Sequence, residues 1–450
     1  MTSAADIPLA IDSAGGRERA TATGAVRRRL RVGVLVDLSS GPRSGGHVRC
    51  WERLAEAALG FADTLDLTVH FMGPAPERRA LGETVRYIVE PPVFSTERLR
   101  FLSLAPDHTD LAPWHGRIAR FLRQYDVIHT TDAYFAYART AMRVGQRYGI
   151  PIVNSVHTNT PEVARVFTVQ MVERLFGHSL VSTLLLQRLR IADRIEAAML
   201  RRLADYQSRC AYALVSRPDQ LEALRARLPG RAGLLRRGVD QRLFTPEKRD
   251  RAWLAATHGI PPERFVVIFV GRLNRAKNVP FLAEAMAGLI QRGTDAQLLC
   301  VGDGNERAAI LRRLGTRATC AGSVTPEELA RLYASADLFA FPSQIEESAN
   351  VVLEATASGL PALVAREGGM GRAILEGETG FVLPCETRAW IEAAAALAAD
   401  RERRDAMSRA ARRHAERTYP SWAEVLRSDL LPWWRQAAFL PRQQVAGVAA

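Results

Sequence analysis

The sequence predicts an α/β protein of two doubly wound, Rossmann-like domains facing each other across a cleft. Two observations predict it. Short, nearly continuous apolar runs alternate with amphipathic helical patterns: RVGVLVDL, DVIHTTD, IPIVNSVHT and AYALVSR, then FVVIFVGRL, AQLLCVGDG, ADLFAFPS and PALVAR. Such runs, ending in glycine or polar residues, belong to parallel strands buried on both faces, with ligands beyond their C-terminal ends. The runs also fall into two groups, separated by RARLPGRAGLLRRGVDQRLFTPEKRD. That stretch is rich in Gly, Pro and charge and places the domain boundary near Thr245. A cleft between two such halves is a favoured ligand site.

The bulk composition narrows the class. With 450 residues, 47% hydrophobic and 24% charged, the chain can bury large cores without disulfides or metals. Its five cysteines (Cys50, Cys210, Cys300, Cys320, Cys385) are scattered, with no C-x-x-C pair. That argues against a zinc site or a disulfide framework and fits a reducing cytoplasm. Residues 1–28 lack an apolar segment after a basic start and read as a disordered leader without a secretion signal. The run GHSLVSTLLLQ is too short to span a bilayer. The net charge of +13 comes from 61 basic and 48 acidic residues, mostly arginine spread along helices such as ARRHAERTY. No nucleic-acid module is recognisable, so the basicity is either a solvated face or a contact with anionic membrane.

Taken in order, residues 29–246 form the first domain. Its opening strand leads to Gly45 and Gly46 ahead of a helix pattern, which fits either close approach of a ligand to backbone at a helix N-terminus or a plain tight turn. IPIVNSVHTNTPE puts His157 just after a strand, where it either meets a substrate, by hydrogen bond or proton transfer, or caps the next helix. The basic helical segment 162–206 is an insertion, either packed on the first domain or presenting a membrane-surface or acceptor face. Residues 247–418 form the second domain. In VGRLNRAKNVPFLAEAM, Arg272 and Lys277 bracket a loop at a strand's C-terminal end, as two cations suited to a diphosphate. VGDGNER adds a turn at Asp303 and Gly304 with anion-binding potential. Thr325 and Glu328 read as a capping box.

FPSQIEESANVVLEATASGLPAL then gives a helix capped by Ser348 or Asn350 and closed by Gly359 and Pro361. Its free N–H groups around Ala349, Asn350 and Val351 face the same cleft as Arg272 and Lys277. Glu346 lies ahead of this helix and Glu354 inside it. Dipole compensation explains Glu347 well and Glu354, deep in an apolar helix, poorly. Carboxylates beside a phosphate cradle suit a phosphorylated polyol or sugar. Residues 419–450 supply a last helix and a tail.

These blocks, in this order, resemble a retaining glycosyltransferase of family 4 with the GT-B architecture, over roughly Arg31 to Trp422. Glu346 and Glu354 stand where that family keeps its Glu-x7-Glu motif, and VGRLNRAKNV resembles its diphosphate-binding segment. LLRRGVDQRLFTP, VGDGNER, CAGSVTPEELARLYASADLFAFPS and EATASGLPAL each resemble a family block. The resemblance implies that Arg272 and Lys277 hold the donor diphosphate, Glu354 the ribose hydroxyls and Glu346 those of the transferred sugar. His157 would contact that sugar from the first domain and assist transfer. Gly45 and Gly46 would line the donor phosphates or the acceptor, with Gly304 and the backbone of Ala349, Asn350 and Val351 completing the donor site. The last helix would cross back to the first domain.

Ser348 and Ala349 replace a common Phe-Gly pair, and Met370 replaces a common proline, departures that bear on the sugar chosen. No D-x-D pair occurs, so a cytoplasmic, metal-independent transferase without cofactor is expected. It would take a UDP- or GDP-sugar as donor and a glycan, lipid or lipid-linked acceptor, at the inner face of the membrane in the last two cases. The other readings are a sugar-nucleotide epimerase or phosphorylase on the same fold, and a non-catalytic sugar-nucleotide binding protein.

Overall fold

The computed structural model describes residues 28–41, 44–96, 109–177, 179–344 and 350–441. The expected leader up to residue 27, Glu346, Glu347, Ser348 and Ala349 lie outside them. Two sheets carry the fold. The first contains β1 (Leu30–Ser39), β2 (Leu65–Met72), β3 (Glu77–Ala80), β4 (Val85–Glu90), β5 (Val127–Thr130), β6 (Ile152–Ser155), β7 (Tyr212–Val215) and β8 (Ala232–Leu234). The second contains β9 (Phe265–Val270), β10 (Ala296–Val301), β11 (Ala318–Gly322), β12 (Leu338–Phe341), β13 (Ala362–Ala365) and β14 (Gly380–Leu383).

Their spatial orders are β3-β4-β2-β1-β5-β6-β7-β8 and β11-β10-β9-β12-β13-β14. All named pairings are parallel except β3 with β4. Helices cover both faces of such sheets, which is why FVVIFV in β9 is buried at every position. The charged edge strand β3, ERRA, is exposed at every position, and its charge discourages further strand pairing. In each sheet the order reverses beside the first strand, between β1 and β5 and between β9 and β12. That reversal opens a crevice at the strands' C-terminal ends.

The chain crosses between the halves twice, side by side. Val239 N–H donates to the Pro420 carbonyl at 3.0 Å, and the Gln241 amide donates to the carbonyls of Ala415 (3.0 Å) and Tyr419 (2.8 Å). After the second crossing come a helical turn at Trp422–Val425, a π-turn at Leu426–Leu430 and a helix at Leu431–Ala438. They bury Trp434, Leu430 and Val425 in the first half's core beside Val34, Trp51 and Val69. Arg236 grips Asp429 through two nitrogens, at 2.7 and 3.0 Å. Gly233 and Gly238 make room for this return: a Cβ would stand 2.6 Å from Trp433 or 2.8 Å from Trp422.

The insertion is packed on the first half at one end and open at the other: Met199, Leu203 and Tyr206 join the core around Tyr134 and Tyr137. Asn159 caps helix Thr160–Phe176, which buries only Pro161, Thr168 and Val172; helix Ile191–Ser208 buries only Ala192, Tyr206 and Gln207. The two helices pack on each other, and their connection leaves Leu175, Phe176, Leu180, Val181, Leu184 and Leu189 exposed, Leu180 at 88%.

Candidate functional site

Every expected site residue that is described lies beyond the C-terminal end of a parallel strand: Gly45 and Gly46 after β1, His157 after β6, Arg272 and Lys277 after β9, Gly304 after β10, and Asn350, Val351 and Glu354 after β12. In the second half the loops are locked by backbone. Gly271 N–H donates to Val301 O, Leu273 N–H to Asp303 O and Glu306 N–H to Leu273 O, each at 2.9 Å. Gly302 adopts φ +117°, and a Cβ there would stand 2.2 Å from Gly271 O. A Cβ at Gly304 would stand 2.3 Å from Leu273 O, and Gly304 N–H is taken by the Asp303 carboxylate at 2.9 Å. Close packing of two loops therefore explains the glycine at 304, a reason different from the anion-binding turn expected there.

Asn274 accepts from Lys277 N–H at 3.0 Å and so fixes the turn that carries the lysine. The Lys277 ammonium lies 5.8 Å from the centre of the Phe341 ring, at the end of β12. Arg275, between the two expected cations, is exposed and pairs with Glu306 at 3.3 Å. Thr325 caps its helix by accepting from Glu328 N–H at 3.2 Å.

Glu354 sits on helix Asn350–Ala357, closed by Gly359 at φ +69°. Burial pushes its carboxyl up to about 7, against the opposing pull of Arg53 and the Tyr333 hydroxyl. Tyr333 Oη lies 3.5 Å from the carboxylate. Arg53 belongs to helix Gly46–Ala58 of the first half, so that helix and the Glu354 helix face each other. Arg372 and Asp219 add an ion pair from half to half.

At the start of helix Gly46–Ala58, Ser44 N–H donates to Gly41 O at 3.0 Å, so the chain turns just ahead of the glycine pair. Gly45 has an ordinary extended conformation (φ −74°, ψ 174°), and a Cβ on Gly46 would meet nothing within 4 Å. Neither the conformation of Gly45 nor packing at Gly46 requires glycine, and the backbone at Gly46 stands open to approach.

His157 does not cap the following helix, since Asn159 does. It ends a buried chain of hydrogen bonds whose direction can be derived. Trp434 Nε1 lies 2.9 Å from His129 Nδ1, His129 Nε2 lies 2.8 Å from Ser155 Oγ, and Ser155 Oγ lies 2.8 Å from His157 Nε2. An indole N–H only donates, so His129 Nδ1 accepts. Burial pushes His129 down to about 3, which keeps the ring neutral with its proton on Nε2. That proton goes to Ser155 Oγ, whose own proton goes to His157 Nε2. His157, held well below the usual histidine range by burial first and then by His47 and Arg237, therefore carries its proton on Nδ1. This N–H is buried and has no partner. Such a group donates a hydrogen bond to a bound ligand and does not accept a proton, so of the two substrate roles open to His157 the geometry favours the hydrogen bond.

Residues that sequence reasoning passed over complete this wall. His47 stacks on His157, with ring centres 4.4 Å apart and planes 9° apart. Its position directly after the glycine pair was the available signal. Ser155, His129 and Trp434 act through His157 and carry no local motif. Among the described residues no group of three or more His, Cys, Asp or Glu side chains is placed to hold a metal ion, and no helix is long and apolar enough to cross a membrane.

Comparison with known proteins adds three likenesses and a family match. The model of the family described as Glycosyl transferases group 1 matches residues 264–400. A D-inositol 3-phosphate glycosyltransferase of Rhodococcus opacus is 30% identical over 331 residues, covering 70% of this chain and 68% of that protein. Sucrose-phosphate synthase from Thermosynechococcus elongatus superposes with a TM-score of 0.65 at 19% identity, over 91% of this chain and 99% of that one. HepE of Anabaena, in complex with UDP and glucose, superposes with a TM-score of 0.58 at 18% identity, over 89% of this chain and 98% of that one.

Proposed function

This chain is a member of the glycosyl transferases group 1 family, with the GT-B fold, and from that premise we propose that it moves a sugar from a nucleoside diphosphate donor to a hydroxyl acceptor with retention of configuration. The observation that supports the reading is the position of Lys277 and Arg272 after β9, Glu354 after β12 and the unpartnered His157 N–H after β6, each beyond the C-terminal end of a parallel strand.

Arg272, Lys277 and the N–H groups at the start of helix Asn350–Ala357 stabilise the departing diphosphate, where fixed positive charge is worth most. Glu354 accepts from the ribose hydroxyls, and Glu346, with the backbone at Ala349, serves the transferred sugar. His157 Nδ1–H donates to that sugar and holds it against the cleft wall. The acceptor hydroxyl enters on the face the diphosphate leaves, and a leaving-phosphate oxygen takes its proton. No carboxylate nucleophile is then needed, and side-chain cations stand in for a metal. Closure of the two halves excludes water and suppresses donor hydrolysis.

The UDP carried by the HepE structure and the inositol phosphate named for the Rhodococcus relative favour a UDP-sugar and a polyol, glycan or lipid-linked acceptor. The test is turnover of UDP-sugars with and without acceptor. Lys277→Ala should lower kcat by about two orders of magnitude, with UDP released only when acceptor is present. Wild-type turnover in that variant, or acceptor-independent loss of donor, sinks the reading.

A membrane-borne acceptor is favoured by one further observation. The exposed apolar set from Leu175 to Leu189 is flanked by Arg174, Arg188, Arg190 and Arg194. Apolar side chains ringed by arginines suit the interface of an anionic bilayer, and such binding weakens with salt. Leu180→Asp with Leu184→Asp should abolish salt-sensitive sedimentation with phosphatidylglycerol vesicles and leave the melting temperature unchanged. Equal sedimentation of wild type and double variant overturns the membrane role.

A further inference from the structure

Arg237 follows β8 in the first half, next to the first chain crossing, and nothing in the proposed reaction uses it. It is only 8% exposed. Its Nε and Nη1 are buried without a hydrogen-bond partner. Among the described residues no carboxylate pairs with it and no aromatic face covers it. Its neighbour Arg236 shows the ordinary solution, a two-pronged grip on Asp429. A buried guanidinium without a counter-charge costs several kcal/mol, so a fold that keeps one there keeps it for something that arrives later.

What surrounds Arg237 says what that is. Its guanidinium lies close enough to Cys50, His47 and His157 to act on all three, and it opposes a positive charge on either imidazole. Both imidazoles are neutral and each has a buried ring nitrogen without a partner, Nε2 of His47 and Nδ1 of His157. Cys50 and His47 lie on helix Gly46–Ala58, thirteen residues long, with no side-chain cap at its N-terminus and open space at Gly46. An unpaired guanidinium, the unpartnered His157 N–H and an uncapped helix N-terminus all favour negative charge with oxygen acceptors. The cations expected to hold the donor diphosphate stand in the other half, after β9.

We propose that Arg237, with His47, His157 and the N-terminus of helix Gly46–Ala58, forms a subsite for an oxyanion carried by a substrate beyond the donor diphosphate: a carboxylate or sulfonate on the transferred sugar, or a phosphate ester on the acceptor. This rests on the transfer reading, in which His157 touches the transferred sugar. Arg237 is then the residue that makes the enzyme select charged over neutral substrates.

The test is calorimetric titration of the full chain with paired probes. UDP-glucuronate against UDP-glucose reports an anion on the donor sugar. Glycerol 3-phosphate against glycerol, each with UDP bound, reports an anion on the acceptor. In one pair the charged member should bind wild type at least about tenfold more tightly, the ordinary gain of a charge-assisted bond to a buried arginine. Arg237→Met should erase that preference, leave UDP binding unchanged, and raise the melting temperature of the ligand-free protein, because an uncompensated buried charge is gone. Retained UDP binding also certifies that the variant is folded. Absence of preference in both pairs overturns the proposal, and so does an equal weakening of UDP and UDP-glucose, which would make Arg237 part of the diphosphate grip. Failure of UDP and UDP-glucose to bind, with a glycerol 3-phosphate preference that Arg237→Met removes, would instead sink the donor reading and leave the subsite standing.

Discussion

Replacing Glu354 by Gln preserves the shape of the side chain and removes its charge. Burial lifts this carboxyl from 4.5 to about 7. Ionising it in the fold is therefore about 2.5 decades harder than in the unfolded chain, on the order of 3 kcal/mol. The sign follows from the proton. Below about pH 4.5 both states hold it and no stability is lost. Between that value and about 7 the unfolded chain releases it first, so the native state loses stability as pH rises, and above about 7 the full penalty is in place. Gln escapes the penalty. Urea unfolding should find the variant and wild type nearly equal at about pH 5 and the variant more stable by on the order of 3 kcal/mol at about pH 8.

Donor binding should run the other way, because ribose hydroxyls donate to the ionised form. UDP-glucose has no phosphate proton that titrates near neutrality. It should bind wild type up to about tenfold more tightly per pH unit until about pH 7 and then level off, while the variant binds weakly and without slope. Parallel pH profiles for the two proteins, in unfolding or in binding, would refute the assignment of Glu354.

Two further outcomes follow from the geometry. Trp434→Phe keeps an aromatic ring but leaves His129 Nδ1 without its donor, at a cost of about 1–3 kcal/mol. The proton on His157 should then redistribute between its nitrogens, visible in nitrogen NMR, with kcat down about tenfold and UDP affinity unchanged; an unaltered His157 tautomer counts against the chain of hydrogen bonds. Gly304→Ala drives a Cβ into the Leu273 carbonyl and should destabilise the fold by about 1–3 kcal/mol while weakening UDP binding, whereas an alanine variant with wild-type melting and affinity removes the packing argument.

The sequence displayed most of the sheet centres and hid their margins, and it left β2 and β4, interior strands of the first sheet, unnamed. The apolar runs of β1, β5, β6, β7, β9, β10, β12 and β13 are recognisable because both faces of a central parallel strand are buried. β8 has three residues and β11 is ATCAG, edge strands whose pairing comes from a neighbour more than from their own composition. The second-half candidates could be named from the sequence because they lie in contiguous motifs, as with Arg272 and Lys277 around one loop. The first-half wall was not. His157 was visible after its strand, but Ser155, His129 and Trp434 matter only through contacts that the fold creates, and Arg237 stands out only once burial shows that it lacks a counter-ion. The insertion's helical periodicity was clear, yet periodicity alone could not say that Met199, Leu203 and Tyr206 would be covered while the apolar side chains from Leu175 to Leu189 remained exposed.

The return of the chain after the second crossing sets an order of events in synthesis. Trp434 meets His129 across 305 residues of sequence, and the helix that carries it fills the first half's core. While the polypeptide emerges, the first half must wait with that space unfilled, whereas the second half has all six strands of its own sheet, β9 to β14, available earlier. Of the two halves the one made first is thus finished last, and the wall around His157 assumes its working arrangement only after Trp434 has left the ribosome.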